Sequence, residues 1–162
     1  MTVINGLPAH VLFVHFLVVL APLTAVSEIL CAVWPAARRR LVWPVVVLAT
    51  ATMALTPLTT HAGQWLFNLR RNPSPVLREH AERGETMIYF SATLLAVALV
   101  FAAVHVLEQR SAEHRPALRA AIAIVAVAVG VSVIVQVYRI GDIGSQSVWG
   151  GEIARLTKAN TG

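Results

Sequence analysis

The chain has 162 residues, 57% of them hydrophobic and only 13% charged, with a mean hydropathy of +0.69, which excludes an ordinary soluble domain and describes an integral membrane protein. A net charge of +5 does not point to nucleic acid, because the arginines are scattered through the links between apolar runs rather than gathered on one face. Cys31 is the single cysteine, so an intramolecular disulfide, a cysteine-ligated iron–sulfur cluster and a thiolate zinc site are excluded as well.

Four apolar stretches are each long enough, at about 1.5 Å per residue, to cover roughly 30 Å of hydrocarbon. They run from His10 to Trp34, Leu41 to Leu66, Glu85 to Leu107 and Ala117 to Tyr138. The expectation is an all-α fold: a four-transmembrane-helix antiparallel bundle in a single membrane domain over residues 1–162, surrounded by the lipid bilayer. Met1 to Leu7 carry no side-chain charge, so the first span does not read as a secretory signal and is expected to be retained. Arg38, Arg39 and Arg40 follow it without an acidic neighbour. By the positive-inside rule that loop is cytoplasmic, which places both termini outside a bacterial cytoplasmic membrane. Counted over the whole chain, triplet included, this topology puts six basic residues inside against seven outside, so the orientation rests on the density of this triplet.

Pro22 in the first span and Pro44 and Pro57 in the second read as ordinary packing geometry of membrane helices. The short turn around Pro35 to Arg40 makes these two spans antiparallel neighbours. Ser74 before Pro75 is an N-cap and first-turn pair, so a helix is expected to start there and to carry His80 into the third span. Pro116 opens the fourth span. Beyond Tyr138 the composition turns to Gly and Ser, and residues 139–162 read as a polar tail. Trp34, Trp43, Trp65 and Trp149 fall near span ends, where their rings anchor in the headgroup zone.

On this topology the polar residues collect at one end. His10 and His15 open the first span, His61 closes the second, His80 lies above the third, and Arg139 and Asp142 end the fourth, with Thr59, Thr60, Gln64, Glu79, Glu82 and Glu85 nearby. The opposite end holds Glu28, His105 and His114. His10 and His15 are five positions apart, which turns them roughly 140° around the helix and about 7.5 Å along it. They cannot share a face, so any ligand site must recruit another helix.

Three readings of this constellation compete. Two imidazoles from different helices could ligate the iron of haem b, with His15 the deepest candidate, His61 or His80 opposite, and Arg139 near a propionate. His10, His15 and His80 with Glu82 or Glu79 form an N/O set suited to a divalent metal such as zinc, copper or iron. The third reading is a polar network that locks the helix ends and binds nothing. A simpler account of Arg139 is an ion pair with Asp142 at i, i+3. Glu28, buried in a span, needs a partner of its own, for which His105 and Arg38 are the candidates; a proton relay is the alternative.

Gly6-Leu7-Pro8-Ala9-His10 with His15, Pro57-Leu58-Thr59-Thr60, Ala62-Gly63-Gln64-Trp65-Leu66, His80-Ala81-Glu82-Arg83-Gly84-Glu85 and Tyr138-Arg139-Ile140-Gly141-Asp142-Ile143-Gly144-Ser145 together resemble the bacterial four-helix membrane proteins of domain of unknown function 2231, especially actinobacterial members. The resemblance covers most of the chain. It implies polar motif positions at His10, His15, His80, Glu82, Gly84, Arg139, Gly141 and Gly144. Gln64 stands where relatives are more often acidic, Asp142 where histidine is frequent, and Val11 where proline often follows the first histidine. Some relatives carry a fused Rieske-type domain, which implies a redox neighbourhood but supplies no reaction.

No nucleophile–base pair, phosphate loop or acid/base dyad argues for an enzyme. The expectation is a membrane protein that binds haem b or a metal at its outer end and serves electron transfer with a respiratory or redox partner in the membrane, and a homo-oligomer is compatible with it. The contrasting expectation is a non-catalytic accessory subunit whose polar cluster holds helices together. A transporter would require oligomerisation, since four helices show no evident repeat.

Overall fold

A computed structural model of the protein describes residues 3–4, 6–110 and 116–160. Four long helices dominate it: α1 (Ala9–Val33), α2 (Pro35–Asn68), α3 (Pro75–Arg110) and α4 (Pro116–Asn160). All four are long and apolar enough to cross a membrane. A short antiparallel ladder of β1 (Val3–Ile4) and β2 (Leu7–Pro8) precedes them, with Gly6 between at φ +81°, a backbone conformation that glycine enters without a Cβ clash.

The helix ends follow their local chemistry. Trp34 alone separates α1 from α2; it is extended, and Pro35 then opens α2 at the position where a missing N–H costs nothing. The Leu77 amide donates to Ser74 Oγ and the Arg78 amide to the Ser74 carbonyl, so α3 begins at the expected cap. Pro22, Pro44 and Pro57 all lie inside continuous helices. The segment read as a polar tail is helix: α4 continues through Gly141, Gly144, Gly150 and Gly151 to Asn160. Helix propensity at these glycines is poor, but the flanking residues supply an uninterrupted i to i−4 ladder.

Each helix packs on its neighbours in chain order and α4 closes the ring on α1, which gives an antiparallel four-helix bundle. Histidines 10, 15, 61 and 80 mark one end, Arg38 and Glu108 the other. Close approach is made by small residues: Ala21, Ala25, Ala49, Ala98 and Ala126 are fully buried. A Cβ on Gly130 would lie 2.8 Å from Ile29 Cγ1, so α1 and α4 meet there only because α4 carries glycine.

Two apolar clusters fill the interior. Leu17, Ala21, Ala25, Met87, Leu94 and Val133 lie toward the histidine end, and Cys31, Val42, Val45, Ala49, Val97, Ala98, Phe101 and Ala126 toward the arginine end. The outer surface is apolar too, with Val19, Val47 and Ile124 each 65–70% exposed. A water-facing bundle would not present such a surface. Lipid is the solvent that fits it, and the chain is a multi-pass membrane protein.

Candidate functional site

Only two of the four clustered imidazoles turn inward. His10 stands in the first turn of α1, and its Nδ1 donates to the Thr59 carbonyl of α2 at 2.9 Å. The ring lies over Gly63, where a Cβ would come within 2.8 Å of Nδ1. His80 on α3 repeats the device against α4: its Nδ1 donates to the Ile140 carbonyl at 3.1 Å, and a Cβ on Gly144 would lie 2.9 Å from its Cε1. In both cases the acceptor carbonyl precedes the glycine by four residues. Each is thus the carbonyl that already receives the glycine's own helical N–H, and the absent side chain opens the path to its second lone pair.

The two rings meet edge to face, with centroids 6.4 Å apart and planes at 78°. A carbonyl only accepts, so each bond assigns a proton to Nδ1. Nε2 of each ring is left without a hydrogen-bond partner among the described residues. A ring N–H held by a backbone carbonyl is the arrangement that orients metal-binding imidazoles.

The remaining candidates are placed otherwise. His15 is exposed on the outward face of α1, and its Nδ1 turns back to the Val11 carbonyl of its own helix. His61 is exposed as well. The haem pair expected at His15 with His61 or His80 is therefore not assembled; the five-residue offset sends His10 inward and His15 out. Glu82 is exposed, and Glu79 is held by Arg83 at 2.8 Å, one turn along the same helix. Among the described residues no group of three or more His, Cys, Asp or Glu side chains converges as a metal site, so His10, His15, His80 and Glu82 do not form one chelate.

Gln64 donates to Glu85 at 2.8 Å and ties α2 to α3, while Gln136 donates to Thr86 at 2.9 Å and ties α4 to α3. Asp142 accepts from Gln146 at 3.0 Å, not from Arg139. Arg139 stays exposed. At the opposite end Arg38 pairs with Glu108 at 3.2 Å and Arg119 joins the same carboxylate at 2.9 Å, whereas His105 bonds Gln109. Neither expected partner of Glu28 reaches it, because both are occupied within their own neighbourhood. His114 lies outside the described residues.

The profile of a family described as "Predicted membrane protein (DUF2231)" matches residues 6–156. The chain belongs to that family. No curated protein and no solved structure matches it. Within this DUF2231 chain the matched region contains both imidazoles, both seating glycines, the whole of α1, α2 and α3, and α4 as far as residue 156, so the site described above lies in the part the family model covers.

The sequence reading missed the two glycine seats and a column of buried hydroxyls. Thr24 meets Thr52 at 3.2 Å, and Thr56 meets Ser91 at 2.7 Å, all four fully buried. A signal existed: Thr52, Thr56 and Thr59 recur at i, i+4 and i+7, which puts three hydroxyls on one face of α2. The Asn5-Gly6 pair between apolar residues likewise carries a hairpin signal.

Proposed function

We propose that His10 and His80 are paired ligands for one transition-metal centre at the histidine end of the bundle, and that the protein serves electron transfer within the membrane. The observation that supports this is the repeated device: on two different helices an imidazole is fixed through Nδ1 to a backbone carbonyl, and both rings keep Nε2 available 6.4 Å apart between centroids. Two imidazoles sharing one ion through metal–nitrogen bonds of about 2.0 Å place their centroids at roughly this separation. Haem b suits the site better than a bare divalent ion. A porphyrin supplies four nitrogens and asks the protein for two axial ligands, whereas a closed structural zinc site asks for four protein side chains, and the described residues converge no third donor. Arg139 precedes the carbonyl that holds His80 and is exposed to receive a propionate. The Arg38–Arg39–Arg40 triplet supports an orientation with the histidine end extracytoplasmic in a bacterial inner membrane, where a redox partner or a second copy of the chain would dock.

The test is an absorption spectrum of membranes and then of purified protein, oxidised and reduced, with elemental analysis of the same sample. A Soret band that H10A and H80A each abolish and H15A leaves unchanged is expected. No haem and no stoichiometric metal in freshly prepared membranes overturns the reading. The second reading is a helix lock, favoured by the fact that each imidazole bridges two helices through its Nδ1 bond to a backbone carbonyl. It predicts that H10A and H80A loosen the bundle while the wild-type protein carries no metal.

A further inference from the structure

Glu28 is wholly buried on α1, and neither carboxylate oxygen has a hydrogen-bond partner among the described residues. An ionised carboxylate in that position would bear the full cost of leaving water, in a bundle whose exterior is lipid. The charges that stand toward the same end do not relieve it. Arg38 of α2 and Arg119 of α4 both lie on Glu108 of α3, and His105 of α3 is held by Gln109. Cys31, one turn along α1, is buried and uncharged as a thiol. Among the described residues no ion pair neutralises Glu28, and no donor satisfies it as an anion.

Its surroundings are nevertheless polar in one direction. Thr24 lies one turn before Glu28 on the same face of α1 and contacts Thr52, and beyond that Thr56 contacts Ser91 and Thr59 carries the carbonyl that holds His10. These hydroxyls form the polar seam of an otherwise apolar interior, running from Glu28 toward the imidazole pair. In the other direction Glu108 holds two arginines, so it keeps Arg119 if Arg38 swings away. Arg38, itself only 8% exposed, is thus a reserve cation for this region of the bundle.

We infer that Glu28 is an intramembrane proton-binding site: a neutral carboxylic acid in the resting protein, opening onto the Thr24–Thr52 hydroxyls, whose deprotonated form Arg38 compensates. This assignment is independent of whether the imidazole pair holds a metal. It takes a proton, not a metal ion, since one carboxyl with neighbouring hydroxyls supplies too few ligands for a divalent ion.

Two measurements test it on the full-length protein in native-like membranes. The hydrophobic reagent dicyclohexylcarbodiimide adds a protonated carboxylic acid across its C=N bond, and the acyl group then migrates to nitrogen, so the product retains every atom of acid and reagent. Peptide mapping is expected to find Glu28 as the main labelled residue at neutral pH, and E28Q is expected to lose that label. Infrared difference spectra of wild type against E28Q are expected to show the C=O stretch of a protonated carboxyl at neutral pH. A carboxylate signature with Glu28 unlabelled overturns the inference. Suppression of labelling by sodium ions at constant pH also overturns it, because the site then binds a metal cation in place of the proton. Should E28Q fail to fold, E28D carries the same readout: the band must move, and an unmoved band assigns it elsewhere and overturns the inference.

Discussion

His80 and Gly144 fit each other across the α3–α4 interface: the imidazole fills the space a Cβ would occupy, with 2.9 Å between Cε1 and that absent atom, and thereby reaches the Ile140 carbonyl. His10 and Gly63 make the same fit between α1 and α2. The open ends of the α1–α2 and α3–α4 hairpins are therefore each fastened by a ring seated on a glycine, and the two rings stand edge to face with centroids 6.4 Å apart. At this end the seating of α1 on α2 and of α3 on α4 rests on two residues that have no side chain.

The first prediction uses that contrast within one helix. Gly144→Ala inserts a methyl against a ring with little freedom to move, which costs about 1–3 kcal/mol by overpacking. Gly141→Ala meets nothing within 4 Å on the same helix and gains up to about 1 kcal/mol of helix propensity. Thermal unfolding in one detergent is expected to give opposite signs for the two variants, with Gly63→Ala following Gly144→Ala. Equal shifts would show that the imidazole seat is not what the glycine serves.

A second prediction concerns the buried hydroxyls. Thr56 Oγ1 lies 2.7 Å from Ser91 Oγ, and both are fully buried. Each hydroxyl also reaches the carbonyl four residues earlier in its own helix, Thr52 for Thr56 and Met87 for Ser91. Loss of one partner therefore leaves the other partly satisfied. A double-mutant cycle of T56A and S91A is expected to return a coupling near 0.6 kcal/mol and below about 1.7 kcal/mol, the range for hydrogen bonds between membrane helices. Coupling indistinguishable from zero would mean the pair contributes packing alone.

The fold was readable because its signals are long: four apolar runs of membrane length, proline at the helix starts, and a polar end shared by all helices. The site was readable only in outline. A five-residue offset shows that His10 and His15 diverge, but not which of them faces in, because both flanks of α1 are apolar and lipid and core look alike in composition. A carboxylate in a span marks Glu28 as needing a partner, for which His105 and Arg38 are the candidates in the sequence. The preference of Arg38 for Glu108 depends on α3 delivering an acid to the end of α2, a contact 70 residues away in the chain.

The third prediction follows from that ion pair. Glu108 is shared by Arg38, which is buried, and Arg119, which is more open. Removing Glu108 strands the buried guanidinium, which costs about 3 kcal/mol where a buried pair is broken from one side. Arg119→Ala leaves Glu108 its bond to Arg38 and costs at most about 1 kcal/mol, as for an exposed pair. Glu108→Ala is thus expected to lower the unfolding midpoint several-fold more than Arg119→Ala, and the reverse order would place the stabilisation at Arg119.

The last prediction addresses the length of α4. Beyond Ser147 the helix continues to Asn160, yet Val148, Trp149, Ile153 and Leu156 are all 58–67% exposed, and the Arg155–Glu152 pair at 3.8 Å and the Thr157 bond to the Ile153 carbonyl at 2.8 Å both stay within the helix. A helical turn that buries nothing adds little to the stability of the bundle it leaves. Truncation after Ser147 retains the Ile140 carbonyl, Gly144 and the His80 seat. The shortened protein is expected to insert and to unfold within about 0.5 kcal/mol of the full chain, the range for changes away from packed features. A large loss of stability on truncation would mean that the apolar side of these last turns is covered in the membrane, by a second copy or by the lipid surface, and crosslinking from Trp149→Cys in the otherwise cysteine-free C31A chain would then tell the two apart.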